Sequence, residues 1–308
     1  MPGQRAEPAC EFVLATWAYS DNVEQLSMGD SQPLVSIVIA VLNGVATLPR
    51  GIDSVASQTY ARKELLVIDG GSTDGTLDVI RSRSADIAYW ESGPDRSLYH
   101  AFNKALAHAK GDWIYFLGSD DYLWNSRVLE SIAGSLAQAY PPARIVYSRA
   151  AFVADNGEIL EILGYPWESF RNRFLQGSMI PHQAVFHHRS LFEAHGPFDD
   201  SFKVGGDYEM LLRELKQADP LFVPGVIVAG YQFGGGSSTP ENSLKVLRAI
   251  RVAHLRHGIR FPGLLWLLTC ARVYARLFLW HILGERLAKK VIDGARVLVG
   301  KKPFWTRV

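Results

Sequence analysis

Trp113-Ile114-Tyr115-Phe116-Leu117-Gly118-Ser119-Asp120-Asp121 decides the fold. Five large apolar residues run unbroken and end in a glycine, a serine and two adjacent carboxylates. A short, wholly apolar run between polar punctuation reads as a strand buried on both faces, the kind found in parallel sheets. Ligands of open α/β sheets sit beyond the carboxyl ends of such strands, where Asp120 and Asp121 stand. Adjacent carboxylates repel unless a proton or cation neutralises them, and a hard divalent cation with oxygen ligands is the usual partner. An aspartate here also suits the N-cap of a helix starting at Tyr122-Leu123, so this stretch alone leaves a metal pair and a helix cap both open.

Upstream, residues 34–42 (LVSIVIAVL) form a first buried strand ending at Asn43-Gly44, followed by a helix to about Ser57 with Pro49 in its first turn. Residues 64–68 form a second strand that stops at Asp69-Gly70-Gly71-Ser72-Thr73-Asp74-Gly75, a loop of glycines and small hydroxyls in which Asp74 can cap a helix near Thr76. Residues 87–90 make a third strand. Residues 98–109 make a helix with Leu98, Phe102, Ala105 and Leu106 at helical spacing. The rhythm from Leu34 to Asp121 alternates strand and helix, which implies an α/β fold with a doubly wound parallel sheet.

Downstream the pattern is mixed. A helix is expected over 125–139, and strands over 144–153 and 158–163 flank Asp155-Asn156-Gly157 as a hairpin. A strand over 184–187, a helix over 206–217 and a strand over 221–228 follow. Gly234-Gly235-Gly236-Ser237-Ser238 reads as a lid or ligand clamp. Residues 1–32 read as a poorly ordered extension, with Met28 as a second candidate start. The chain divides into this extension, a domain over 33–240 and a helical region over 241–308.

The 308 residues carry a net charge of only +1, unevenly spread. From Ser243 on, fourteen Lys and Arg face two Asp and Glu, which points to a polyanionic surface for the tail. Within it, residues 261–283 (FPGLLWLLTCARVYARLFLWHIL) are apolar but interrupted by Arg272 and Arg276, short of the roughly twenty residues of a spanning helix. The stretch 261–302 suits a helix lying in a membrane interface against anionic lipid; packing on the catalytic domain is the alternative. Its aromatic residues alternate with leucines rather than with basic residues, so no nucleic-acid partner is expected. Cys10 and Cys270 lack disulfide-framework or zinc spacing, and no secretory leader is visible, which suits a reducing cytosol.

Three blocks occur in order: strand 1 ending in Asn43; VIDGGSTDGT at 67–76; and GPDRSLYHAFNKALAHAKGDWIYFLGSDD at 93–121. Together they resemble glycosyltransferase family 2, inverting nucleotide-sugar enzymes of the GT-A fold, in the bacterial branch that builds O-antigen and exopolysaccharide. The likeness covers about 33–238. It implies a Rossmann-like nucleotide-binding half with Asn43 and the Asp69-Gly70-Ser72 loop around the nucleotide, Asp69 meeting the base. Asp95, Asn103 and Lys104 are implied near the ribose or diphosphate. Asp120 and Asp121 match the family's Asp-x-Asp region in the shortened form Ser-Asp-Asp: Asp121 as ligand of Mg2+ or Mn2+, and Asp120 facing the ribose or sharing the ion through water.

The block IPHQAVFHHRSLFEAHGPFDDSFKVGGDYEMLLR at 180–213 fits as well. The resemblance gives Asp207 as general base and His182-Gln183 as the acceptor or donor-sugar contact, in a mixed acceptor half. His187 and His188 read as surface or packing residues. The branch commonly has Asp where this chain has His100, which bears on donor preference, and Glu or a small residue where it has Gly206.

The implied reaction moves a sugar from a UDP- or GDP-sugar to a glycan or lipid-linked glycan at the cytoplasmic face of the inner membrane. A divalent cation can neutralise the leaving diphosphate, and an aspartate can deprotonate the acceptor hydroxyl. Nucleotidyl transfer, the rival chemistry, generally needs a basic phosphate loop near strand 1, where VLNGVATLPR offers only Arg50. A silent scaffold of the same fold is the non-enzymatic alternative.

Overall fold

A computed structural model of the chain describes residues 32–154, 157–232 and 240–307. Residues 1–31 of the expected extension, Asp155-Asn156 of the hairpin turn and the glycine-rich loop at 234–238 lie outside them.

The first half runs β1 (Val35–Val41), α1 (Leu48–Ala56), β2 (Lys63–Asp69), α2 (Thr76–Ser82), β3 (Tyr89–Ser92), α3 (Leu98–His108) and β4 (Trp113–Gly118). Its strands lie in the order β3-β2-β1-β4, all parallel. Val41 is in register with Asp69 and Ala40 with Gly118, so the loops after β1, β2 and β4 open along one edge.

The apolar run of β4 follows from its central place, because alternate side chains feed two cores. Ile114 and Phe116 pack with Val38, Leu66, Tyr99 and Phe102. Trp113, Tyr115 and Leu117 pack on the other face with Ile39, Ile52 and Leu129. Each large side chain so buried stabilises the fold by about 1.5–3 kcal/mol, so no strand position is left for a polar residue until Ser119.

The second half adds β5 (Tyr122–Leu123), α4 (Val128–Ala139), β6 (Ile145–Val153), β7 (Ile159–Leu163), α5 (Trp167–Leu175), β8 (Val185–His188), α6 (Arg189–His195), α7 (Gly206–Leu215) and β9 (Leu221–Gln232). Strand β8 runs antiparallel to both β4 and β6, β9 parallel to β6, and β5 antiparallel to β9. The hairpin of β6 and β7 forms as expected. The fold is thus α/β, with a parallel first half and a mixed second half.

Three differences from the sequence reading have local causes. β3 starts two residues late, because it pairs with β2 only from Tyr89 onward. α4 begins at Val128 rather than Asn125, whose side chain instead accepts the Arg127 N–H at 2.8 Å. Most consequentially, Tyr122-Leu123 opens no helix: the two residues pair with Gly230 and Ala229 of β9. The helix-cap alternative for Asp120-Asp121 is thereby removed.

The chain ends in α8 (Pro240–Arg256) and α9 (Leu264–Leu298), the latter broken at Gly284 (φ 72°, ψ 167°). Leu247, Ile250, Ala253 and Trp266 from these helices join the same core as Phe174 and Tyr208. The Tyr208 hydroxyl donates to the Phe174 carbonyl and lies 2.8 Å from Nε2 of the buried His254. On α9 the apolar positions divide. Trp266 is buried, whereas Leu264, Phe278 and Ile282 are each more than 60% exposed. Among the described residues no helix is long and apolar enough to cross a membrane. Beyond α9 the chain folds back, with the backbone N–H groups of Phe304, Trp305 and Thr306 donating to the Asp293 carboxylate.

Candidate functional site

The loops after β1 and β2 are stitched together. Asn43 takes a left-handed conformation (φ 53°), its N–H donates to Ser72 Oγ at 2.7 Å, and its Oδ1 accepts the Thr73 N–H at 2.9 Å. Asp69 is fully buried. It accepts the N–H groups of Gly71 and Ser72 and the hydroxyls of Ser72 and Ser92. Burial alone would raise its carboxyl, but these bonds from Ser72, Ser92 and Gly71 outweigh burial and hold it below the ordinary carboxylate range. The carboxylate expected to meet a nucleotide base is therefore occupied by its own loop, and it shapes the turn at Gly71 (φ 89°). Gly70 is anchored through its N–H to the Val41 carbonyl at 2.8 Å.

Beside this loop, Asp95 Oδ1 sits 2.7 Å from His100 Nδ1 and 3.2 Å from Lys104 Nζ, and Lys104 also pairs with Glu91 at 2.7 Å. His100, the departure from the family pattern, thus serves as a partner for Asp95. The other oxygen of Asp95 is buried without a partner, an acceptor close to Gly70 of the loop after β2. Asn103, expected near the ribose or diphosphate, is engaged with the 196–203 segment. Its Nδ2 donates to the Phe198 carbonyl at 2.8 Å and its Oδ1 accepts the Phe198 N–H at 2.9 Å, which fastens the 196–203 segment to α3.

Asp121 is 3% exposed at the end of β4. Burial first, and then the charge of Asp120, push its carboxyl up to about 7, against hydrogen bonds from Gln183 and Gly118 and the Arg50 charge. Gly118 is required here because a Cβ would overlap the Asp121 carboxylate. Arg50 donates to the Asp120 carbonyl at 2.5 Å and lies 4.5 Å over the Tyr122 ring. A buried carboxylate destabilised by its neighbour suits a hard divalent cation, so the residues fit the expected Mg2+ or Mn2+. Among the described residues no cluster of three His, Cys, Asp or Glu surrounds them. Asp120 and Asp121 would therefore supply part of a coordination shell, to be completed by substrate or water oxygens.

In the second half, Asp207 lies in the first turn of α7 and accepts a hydrogen bond from the Tyr99 phenol at 3.1 Å. Burial, followed by the Asp207 charge, raises the Tyr99 phenol well above its usual range, so it stays a donor. Gly206 is no incidental departure: a Cβ there would lie 2.7 Å from the Tyr99 ring. Gln183 links the two sides. Its carbonyl accepts from the Tyr115 hydroxyl at 2.8 Å, its side chain bonds Asp121, and its neighbour His182 feels the Asp207 charge.

His187 is wholly buried, a packing rather than a surface residue, while His188 caps α6 by accepting the Ser190 N–H. Tyr99, Ser92 and the Asp120 contact of Arg50 escaped the sequence reading. Tyr99 reads as one more core residue at helical spacing, and nothing short of its distant partner distinguishes it.

The family model described as glycosyl transferase family 2 matches residues 36–192. A PGL/p-HBAD biosynthesis glycosyltransferase of Mycobacterium tuberculosis is 33% identical over 216 residues, which are 67% of this chain and 80% of that protein. The chondroitin synthase of Pasteurella multocida is 32% identical over 59% of this chain but only 19% of its own length. Among solved structures, the mannosyltransferase PcManGT of Pyrobaculum calidifontis with GDP-Man and Mn2+ superposes with a TM-score of 0.58 at 19% identity, covering 89% of this chain and 83% of that one. S. aureus TarS 1-349 with UDP-GlcNAc gives 0.57 at 20% identity over 72% of this chain, which spans 66% of that one. These structural likenesses are of fold.

Proposed function

The chain belongs to glycosyl transferase family 2 and is a glycosyltransferase, and from that premise we propose that it transfers a hexose with inversion from a nucleoside-diphosphate donor to a hydroxyl of a growing, lipid-linked cell-surface glycan. The observation that carries this reading is the placement of the buried Asp121, hydrogen-bonded by Gln183, close to His182, which lies within the field of the Asp207 charge. Asp121 suits the leaving diphosphate and Asp207 suits the attacking hydroxyl.

The nucleotide would lie along the stitched Asn43–Ser72 and Gly70–Gly71 turns, with the open oxygen of Asp95 accepting from it. Structural neighbours holding UDP-GlcNAc and GDP-Man support a nucleotide-sugar donor. A divalent cation held by Asp121 and Asp120, when bound, would supply Lewis-acid stabilisation of the diphosphate. Asp207, aimed by Tyr99, would take the proton of the acceptor hydroxyl as it attacks the anomeric carbon from the face opposite the leaving group. The exposed apolar face of α9 among basic residues supports a peripheral position at the cytoplasmic face of a membrane, close to a lipid-linked acceptor.

The test is a panel of UDP- and GDP-sugars with Mn2+ or Mg2+, reading nucleoside diphosphate release and the anomeric configuration of the product. Asp207→Asn is expected to lower turnover by about 10²–10⁴-fold while leaving donor affinity intact. A product of retained configuration, or full turnover in that variant, would rule the mechanism out.

A further inference from the structure

His187 is fully buried on β8, with Nδ1 3.3 Å from the Ile114 carbonyl oxygen of β4. A carbonyl only accepts, so in the neutral ring Nδ1 carries the proton and Nε2 is a bare lone pair. That Nε2 is buried with no partner, and so is Nε2 of His182. The two rings meet steeply tilted, with centroids 5.1 Å apart and planes at 62°. Phe116 and Phe198 pack on both rings, Phe102 on His182 and Phe192 on His187, and none of them offers a ring nitrogen a conventional partner. Burial disfavours the charged form of each imidazole. Of the two nitrogens of His182, only Nε2 is sealed inside without a partner; Nδ1 is not.

We propose that His182 holds its proton on Nε2 and directs it through one enclosed water at the bare Nε2 of His187, so that Nδ1 of His182 is presented as a hydrogen-bond acceptor to a sugar hydroxyl beside Asp207. The two buried nitrogens, each without a partner in the protein, are then satisfied through that water, as buried polar groups ordinarily are. A chain of fixed polarity runs from the Ile114 carbonyl through both rings to the substrate. His187 is a positioning residue: it never meets substrate, but it decides which nitrogen of His182 does. The tautomer of a histidine is commonly set this way, by the bond its other nitrogen makes. The substrate end rests on the glycosyl-transfer reading, whereas the tautomer end stands on the two rings alone.

The experiment is nitrogen NMR of the full chain labelled with 15N-histidine at neutral pH, which distinguishes the two tautomers and the imidazolium. The expected result is His187 protonated on Nδ1 and His182 on Nε2. In His187→Leu no acceptor remains and His182 becomes a tautomer mixture. His187→Gln sets an amide oxygen near the former Nε2 and restores the single tautomer. The acceptor KM is expected to rise about tenfold in His187→Leu, with the donor KM unchanged, and to recover in His187→Gln. Should His187→Leu fail to fold, the wild-type spectrum still decides. His182 protonated on Nδ1 or on both nitrogens, a His182 tautomer unmoved in folded His187→Leu, or an acceptor KM indifferent to the tautomer overturns the proposal. If the full chain transfers no sugar at all, the glycosyl-transfer reading fails while the tautomer result stands.

Discussion

The phenol of Tyr99 donates to the Asp207 carboxylate at 3.1 Å, and so ties α3 of the first half to the first turn of α7 in the second. The proposed base is thus aimed by the half of the fold that would hold the donor. Gly206 makes the approach possible, since any side chain there would meet the Tyr99 ring. Tyr99→Phe removes one hydrogen bond to a charged group and little volume. Such bonds are worth about 1.5–3 kcal/mol. Turnover is expected to fall roughly tenfold or more with donor KM unchanged, as read by steady-state kinetics.

Asp121 links metal binding to pH. Its folded carboxyl is pushed up to about 7 from an ordinary value of 3.8. A raised folded value means the contribution to stability is complete below about pH 4 and is lost as the pH rises through 7, a change of about 4 kcal/mol. Without divalent cations, Asp121→Asn is therefore expected to be more stable than the parent at pH 8 and not at pH 4. Mn2+ should stabilise the parent at pH 8 and leave the variant unmoved. Thermal unfolding at both pH values, with and without Mn2+, checks this.

His254 works in the opposite direction. Burial first, then the Arg251 charge, bring it from 6.5 to about 4. A lowered histidine value means that, as the pH falls through 6.5, the unfolded chain takes up a proton that the folded chain refuses. About 3 kcal/mol is lost by pH 4. Because His254 touches Tyr208 and Trp266, acid should loosen α8 and α9 from the core. His254→Gln is expected to flatten this acid loss in denaturant titrations at pH 7 and pH 4.5.

The split character of α9 leads to a vesicle experiment. Leu264, Phe278 and Ile282 recur at spacings of fourteen and four, close to whole helical turns, and all are exposed. Replacing all three with Glu should leave the fold intact, since the docked face carries Trp266. The parent is expected to sediment with vesicles containing phosphatidylglycerol, and the triple variant to lose that sedimentation. Equal binding by both proteins would separate the apolar face from any membrane role.

Much of the first half was legible because parallel strands announce themselves: alternate residues of β4 feed two cores, so its sequence is apolar throughout. The hairpin of β6 and β7 was legible through Asp155-Asn156-Gly157. Short elements were not. β5 is two residues long and exists only because β9 returns to pair with it, a non-local cause that no window around Tyr122 contains. The same holds within the site. The aspartates at strand ends stood out as residue types, but the occupied state of Asp69 and the Phe198 contact of Asn103 depend on neighbours brought by the fold.

The grip of Asn103 on Phe198 is made entirely through main-chain atoms of Phe198. Nearby contacts share this habit: Ser97 Oγ donates to the Asp200 carbonyl, and Arg189 to the carbonyls of Ala109 and Gly111. These contacts read the course of the backbone and are blind to the side chains carried on it. Exposed side chains of the 196–203 segment can therefore change without disturbing these hydrogen bonds, whereas the buried Phe198 ring is fixed by its packing on Tyr99 and Phe116. Hybrid enzymes that exchange the second half between relatives should dock correctly wherever the 196–203 backbone keeps its path and Asn103 and Phe198 are retained.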